Sequence, residues 1–257
     1  MFKTFIVRLI NQLGYTIDKT ENHNYFELPE DFDLTAQEVE IWKNFRNPRY
    51  TLVNEMRWRL FLQTGISIRG LTVFEPGAGI GDQTQWLLNM GASKVIVSDG
   101  RDSNVAIIKK RFKNEPKVVT LVGDLEDCLG RPDFNVQANL IFLWGVYYHI
   151  NDPMPEFPIL KKLASIAPLV AFDYLESSSG KDYVETYDYE NPSASISHAS
   201  GRPTQSMMVA GLRKSFPFVY FPREQMNWHD PSAPHTPRKI IVGSATPLNY
   251  AGLVESA

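Results

Sequence analysis

The sequence predicts an α/β protein: a doubly wound, mostly parallel, seven-stranded sheet preceded by an N-terminal helical cap. Three observations carry that expectation. From residue 71 onward, short apolar runs alternate with amphipathic segments, the pattern of parallel strands covered by helices on both faces. A turn holding three glycines separates the first apolar run from the first amphipathic segment. The chain of 257 residues, 43% hydrophobic, is also long enough to bury one sizeable core.

Residues 1–66 read as the cap. Phe2, Phe5, Ile6, Leu9, Ile10 and Leu13 have helical spacing, and Lys3 and Arg8 interrupt any run long enough to span a bilayer. This segment is expected to pack on the domain; weak docking of residues 1–14 on a membrane surface is the alternative. A polar loop at 20–33 precedes helical patterns at 35–45 and 49–64. The main domain, 67–257, opens with the strand LTVFE and a helix over 83–90. KVIVSD, a helix at 102–113, VVTLVGD and NLIFLWG follow, then a helix near 155–166 and LVAFDYL at 169–175. Residues 176–202, rich in tyrosine, serine and acids, break the alternation and read as an inserted lid. A helix at 203–215, the strand FPFVYF, a Pro/His-rich loop at 222–238 and the strand KIIVGSA complete the chain.

A formal net charge of −3 supplies no global basic field, which makes nucleic acid an unlikely partner. Cys128 is the single cysteine, so no intrachain disulfide framework or thiolate zinc cluster can form, and a reducing cytoplasmic compartment is expected.

The chemistry-bearing pattern lies at the predicted strand ends. Residues 73–84 place Gly77, Gly79 and Gly81 where backbone must turn tightly and approach a ligand, with Glu75 just before them. The dinucleotide fingerprint would need glycine where this chain has Asp82, leaving a nicotinamide oxidoreductase as a rival only. Asp99 ends the second strand about 20 residues beyond the glycines, where a carboxylate can accept ribose hydroxyls, and Asp124 ends the third. Any one such acid is more often a turn residue or helix cap. Together, over about residues 70–175, they make the chain resemble the class I (Rossmann-like) S-adenosylmethionine (SAM)-dependent methyltransferase superfamily.

That resemblance implies SAM as cofactor, S-adenosylhomocysteine (SAH) as product, and cofactor contacts from Glu75, Gly77, Gly79, Gly81, Asp99, Asp124, Leu125 and Trp144. Residues 143–153 look like the G-V-x-Y-H-x-x-D-P signature of small-molecule, glycan-cluster and some tRNA methyltransferases, which turns Tyr147, Tyr148 and His149 toward the acceptor. For a hydroxyl acceptor His149 is the first candidate base, with Asp173 second, Glu176 third and Tyr148 beside them. Core packing competes for the aromatics and a structural hydrogen bond for His149.

The Asn/Asp-Pro-Pro-aromatic run of exocyclic base methylases, the Pro-Cys nucleophile of cytosine methylases and the strand-four carboxylate of catechol-type enzymes do not occur here, and no metal is expected. His229, Asp230 and His235 could suggest a metal site, but their loose spacing in a proline-rich loop argues against it. Tyr183, Tyr187 and Tyr189, interleaved with acids on the lid, suit a sugar, an aromatic metabolite or a cationic amine. Arg202 and Arg223 could grip an acidic group on the acceptor, or be solvated surface residues. The expected reaction is methyl transfer to a hydroxyl, in second place an amine, of a small molecule or saccharide. A tRNA methyltransferase and a SAM-binding regulatory protein without catalysis are the rivals.

Overall fold

The computed structural model describes residues 32–46, 48–150, 157–177, 183–186, 199–224, 229–230 and 233–256. Expectations placed on residues 1–14, Tyr187 and Tyr189 lie outside them, as do the side chains of Tyr183, His229, Asp230 and His235. Two helices come first, α1 (Ala36–Phe45) and α2 (Pro48–Gln63). Thr35 caps α1 in a reciprocal box with Glu38: the Thr35 hydroxyl accepts from the Glu38 amide, and the Glu38 carboxylate accepts from the Thr35 amide at 2.6 Å.

The alternating core is β1 (Thr72–Pro76), α3 (Asp82–Asn89), β2 (Lys94–Asp99), α4 (Asp102–Arg111), β3 (Val118–Val122), α5 (Leu125–Gly130), β4 (Leu140–Leu143), α6 (Pro158–Ile166) and β5 (Leu169–Leu175). Strands β3, β2, β1, β4 and β5 lie side by side in that order, all parallel. The C-terminal part adds β6 (Tyr183–Thr186), β7 (Ala199–Arg202), α7 (Gln205–Arg213), β8 (Phe218–Pro222), β9 (His229–Asp230), β10 (Ala233–Ser244) and β11 (Leu253–Glu255). Strand β10 inserts antiparallel between β5 and β8, and β11 closes the edge beyond β8.

Period-two alternation explains why this sheet is buried on both sides. Val73, Leu140, Phe142, Ala171 and Val242 face one apolar cluster with α2 and α3, whereas Phe74, Ile141, Leu143, Phe172 and Ile241 face the other with α6 and α7.

Three differences from the expected layout have local causes. The expected lid carries an antiparallel β6–β7 pair, with β7 lying against the turn that follows β4. Strand β10 reaches back through Pro237 into the expected Pro/His-rich loop and pairs there with β9, a short edge pairing in which a proline is tolerated. An eighth strand on the main path, β11, is held by the Leu253 side chain, which is buried while its neighbours Val254 and Glu255 are exposed. Helix α2 supplies Trp58, Leu60, Phe61 and Leu62 to the principal core, so it belongs physically to the sheet it covers. Among the described residues no helix is long and apolar enough to cross a membrane.

Candidate active site

The parallel strands end on one rim, and the glycine turn leaves β1 there. Gly77, Gly79 and Gly81 all adopt left-handed conformations, with φ of 68°, 59° and 83°. All three are also needed for space: a Cβ on Gly77 would collide with the Val146 side chain, one on Gly79 would lie 2.6 Å from the Phe45 ring of α1, and one on Gly81 would lie 2.5 Å from the Phe112 ring. The turn is therefore walled by α1 on one side and by the segment after β4 on the other.

Glu75 is buried; one carboxyl oxygen accepts from the Thr84 hydroxyl at 2.7 Å and the other has no hydrogen-bond partner. Burial pushes its carboxyl up to about 8. Asp99, on the neighbouring strand, receives the Gly79 amide on one oxygen at 2.8 Å. Its other oxygen accepts the Arg101 amide and the Asn104 side-chain amide at 2.9 and 3.1 Å. These bonds fix the carboxylate against the glycine turn, and the oxygen facing Gly79 keeps acceptor capacity for a hydroxyl. Burial raises the Asp99 carboxyl, with those donors opposing. Asp124 is the N-cap of α5, one oxygen accepting the Asp127 amide at 2.8 Å, and Leu125 is buried behind it.

These residues fit SAM: a lone buried carboxyl oxygen suits an ammonium, and a strand-end carboxylate suits a ribose. Trp144, expected beside them, packs into the principal core. Its ring is buried among Phe61, Phe142 and their neighbours, 4.9 Å from Phe142, and so serves the core.

On the acceptor side the turn Tyr147–His149 follows β4. Tyr147 is buried with its ring 4.7 Å from that of Phe172. Tyr148 and His149 are half-buried, their rings 4.2 Å apart, and Val146 of the same segment meets the glycine turn. His149 lies in the turn after β4, which packs against β5 and β7, and Val146 just before that turn meets the glycine turn.

Asp173 is not free to act as a base. It is fully buried, accepts the Gly145 amide at 2.6 Å, takes two bonds from Arg57 at 2.9 and 3.1 Å and also binds Arg238. Although burial works against ionisation, Arg57 and Arg238 beside it hold its carboxyl below the usual range. Arg238 lies over the Tyr148 ring, 4.8 Å from the centroid, which links this buried network to the acceptor turn. Arg202 is buried on β7, whereas Arg223 is exposed and donates to the Ala251 carbonyl at 2.5 Å, tying down the C-terminal strap. Glu176 lies 4.0 Å from Lys239.

Arg57 and Arg238 carry no sequence signal that separates them from surface arginines. The same holds for Arg46, which forms a two-pronged ion pair with Asp82 at 2.6 and 2.9 Å.

No protein-family model and no curated protein sequence matches the chain. Solved structures do. The N-terminal domain of EvdMO1, crystallised in the presence of SAH and D-fucose, superposes with a TM-score of 0.58 at 14% identity, covering 96% of this chain and 98% of that one. Magnesium protoporphyrin IX methyltransferase from Synechocystis PCC 6803, with bound SAM, gives 0.53 at 14% identity over 95% and 97%. DhpI in complex with SAH gives 0.52 at 16% identity over 80% and 91%. The chain has the class I methyltransferase fold.

Proposed function

We propose that this protein binds SAM across the rim of β1, β2 and β3 and transfers its methyl group to a hydroxyl, or in second place an amine, of a small molecule or saccharide. The observation that carries this reading is the run of strand-end carboxylates, Glu75, Asp99 and Asp124, around a glycine turn whose conformations only glycine adopts readily. Glu75 would take the ammonium, Asp99 the ribose, and Asp124 with Leu125 the adenine. The crystallisation of EvdMO1 with D-fucose supports a saccharide among the acceptor classes.

Methyl transfer from a sulfonium is an in-line displacement with a good leaving group, so alignment and exclusion of water do most of the work. A hydroxyl acceptor also loses a proton, and His149 is the residue proposed to take it, with Tyr148 beside it to orient the acceptor. Arg202 and the lid tyrosines are proposed to line the acceptor end. The single cysteine supports placement in a reducing cytoplasm.

Calorimetry with SAM, SAH and NAD(P)H on the wild type and Asp99→Ala tests the reading. Binding of SAM and SAH but not NAD(P)H, weakened about tenfold or more by the substitution, is expected from loss of hydrogen bonds to a charged acceptor. Absence of SAM and SAH binding by the wild type would remove the function, and binding indifferent to Asp99 would remove the ribose assignment.

A further inference from the structure

Two of the three carboxylates proposed to hold the cofactor are nearly sealed: Glu75 is 3% exposed and Asp99 6%. Helix α1 is part of the seal. Phe45, its last residue, sits on Gly79, the middle glycine of the turn, and stacks edge-on against Tyr50 with centroids 5.0 Å apart. Ile41, Trp42 and Phe45 of α1 pack on Ile80, within the turn, and on Ile107 of α4. This cluster is separate from the two that bury the faces of the sheet. The helix could lift without opening either main core.

Ion pairs fasten α1 at both ends. At its start Lys110 donates to Glu38 at 2.6 Å, and just past its end Arg46 grips Asp82 through both carboxylate oxygens. Asp82 is the first residue of α3, immediately after the third glycine. The Arg46 guanidinium also lies 4.2 Å from the centre of the Trp42 ring, so it is pre-set by its own helix.

We propose that α1 is the cover of the cofactor site, with Phe45 as its stopper and the Arg46–Asp82 pair as its latch, so that cofactor is admitted and released only when the latch opens. The inference rests on the function proposed above. Asp82, the residue that sets this turn apart from a dinucleotide loop, thereby anchors the cover. Arg46 is a positioning residue and touches no reacting atom.

Arg46 is also the partner that can be removed cleanly. Asp82 keeps a second guanidinium, Arg111, at 2.7 Å, so Arg46→Ala leaves no buried carboxylate without a counter-charge. Asp82→Asn would instead remove the counter-charge of the buried Arg111 and confuse latch with fold.

The test is stopped-flow displacement of SAH from the full chain by excess SAM, followed by tryptophan fluorescence. In Arg46→Ala the SAH dissociation rate is expected to rise about tenfold or more, the effect of losing a charge-assisted, two-pronged bond. Arg46→Lys, which keeps the charge but only one prong, is expected to fall between. Added salt should speed dissociation from the wild type more than from Arg46→Ala, which keeps the Lys110–Glu38 pair on α1, a difference that a general loss of stability would not produce. Phe45→Ala should speed dissociation with no change in salt dependence. Equal rates in the wild type and Arg46→Ala, with both binding SAH, would overturn the latch and leave the methyltransferase reading intact. Failure of the wild type to bind SAH would overturn both.

Discussion

Burial holds the Glu75 carboxyl at about 8, far above its ordinary 4.5, and one of its oxygens has no partner. Because the folded value exceeds the unfolded one, the unfolded chain surrenders the proton first, and the free protein loses stability as pH climbs from about 4.5 through 8. Glu75→Gln removes that penalty and is expected to stabilise the free protein by about 1–3 kcal/mol at pH 8 and by almost nothing at pH 4. The same substitution should weaken SAH, since a neutral amide cannot answer an ammonium. In the wild type an incoming ammonium pulls the carboxyl back to its ionised form, so binding near pH 7 should release up to about one proton. Calorimetry in buffers of differing ionisation enthalpy, with chemical denaturation at the two pH values, checks both. Tight SAH binding by Glu75→Gln without proton release in either protein would remove Glu75 from the ammonium.

Where single residues set the charge state, the buried network around Asp173 sets the geometry between elements. Arg57 from α2, the Gly145 amide after β4, Asp173 on β5 and Arg238 on β10 converge on one carboxylate. Asp173→Asn leaves two guanidiniums, 3% and 6% exposed, without their shared charge, and is expected to cost about 3–5 kcal/mol in a urea titration. A residue that served only as base would instead lose turnover at full stability. The Asp173 contribution is present above about 3.8 and is lost as pH falls through its lower folded value. This network also marks where the sequence stops being readable. Strands β1 to β5, the glycine turn and the strand-end acids are legible because period and order are local properties. The ion pairs are not: Arg57 and Asp173 are 116 positions apart, and Arg238 lies 65 positions from Asp173. An arginine in a helical stretch reads as solvated until the fold shows what it faces. The packing of the Trp144 ring on Phe61 and Phe142 is hidden for the same reason, because strand-end position alone does not say which face of the sheet a ring takes. The β6–β7 pair hides in polar, serine-rich sequence with no apolar alternation.

At the scale of the whole molecule the two helices ahead of the sheet part company. They form one stretch in the sequence, yet α1 buries its residues in the small cluster with Ile80 and Ile107, and α2 buries its own in the principal core. Phe61 of α2 is fully buried, with its ring edge-on to Trp86, Phe142 and Trp144 at 6.1, 5.2 and 6.2 Å. Removing it opens a cavity against the sheet itself, and Phe61→Ala is expected to lower the global unfolding free energy by about 3–5 kcal/mol. Trp42 of α1 is 4% exposed, nearly as buried, and burial alone would predict a similar loss. The partition into clusters predicts otherwise. If α1 opens as a unit of its own, Trp42→Ala acts mainly on that local opening, shifting the global transition by less than about 1 kcal/mol. Amide exchange along α1 should then accelerate while exchange in β1, β4 and β5 stays at the wild-type rate. Urea titrations of the two variants, paired with native-state hydrogen exchange, separate these outcomes. Equal global losses would mean that α1 is continuous with the sheet in energy as well as in sequence, and could not open over the glycine turn without unfolding the rest.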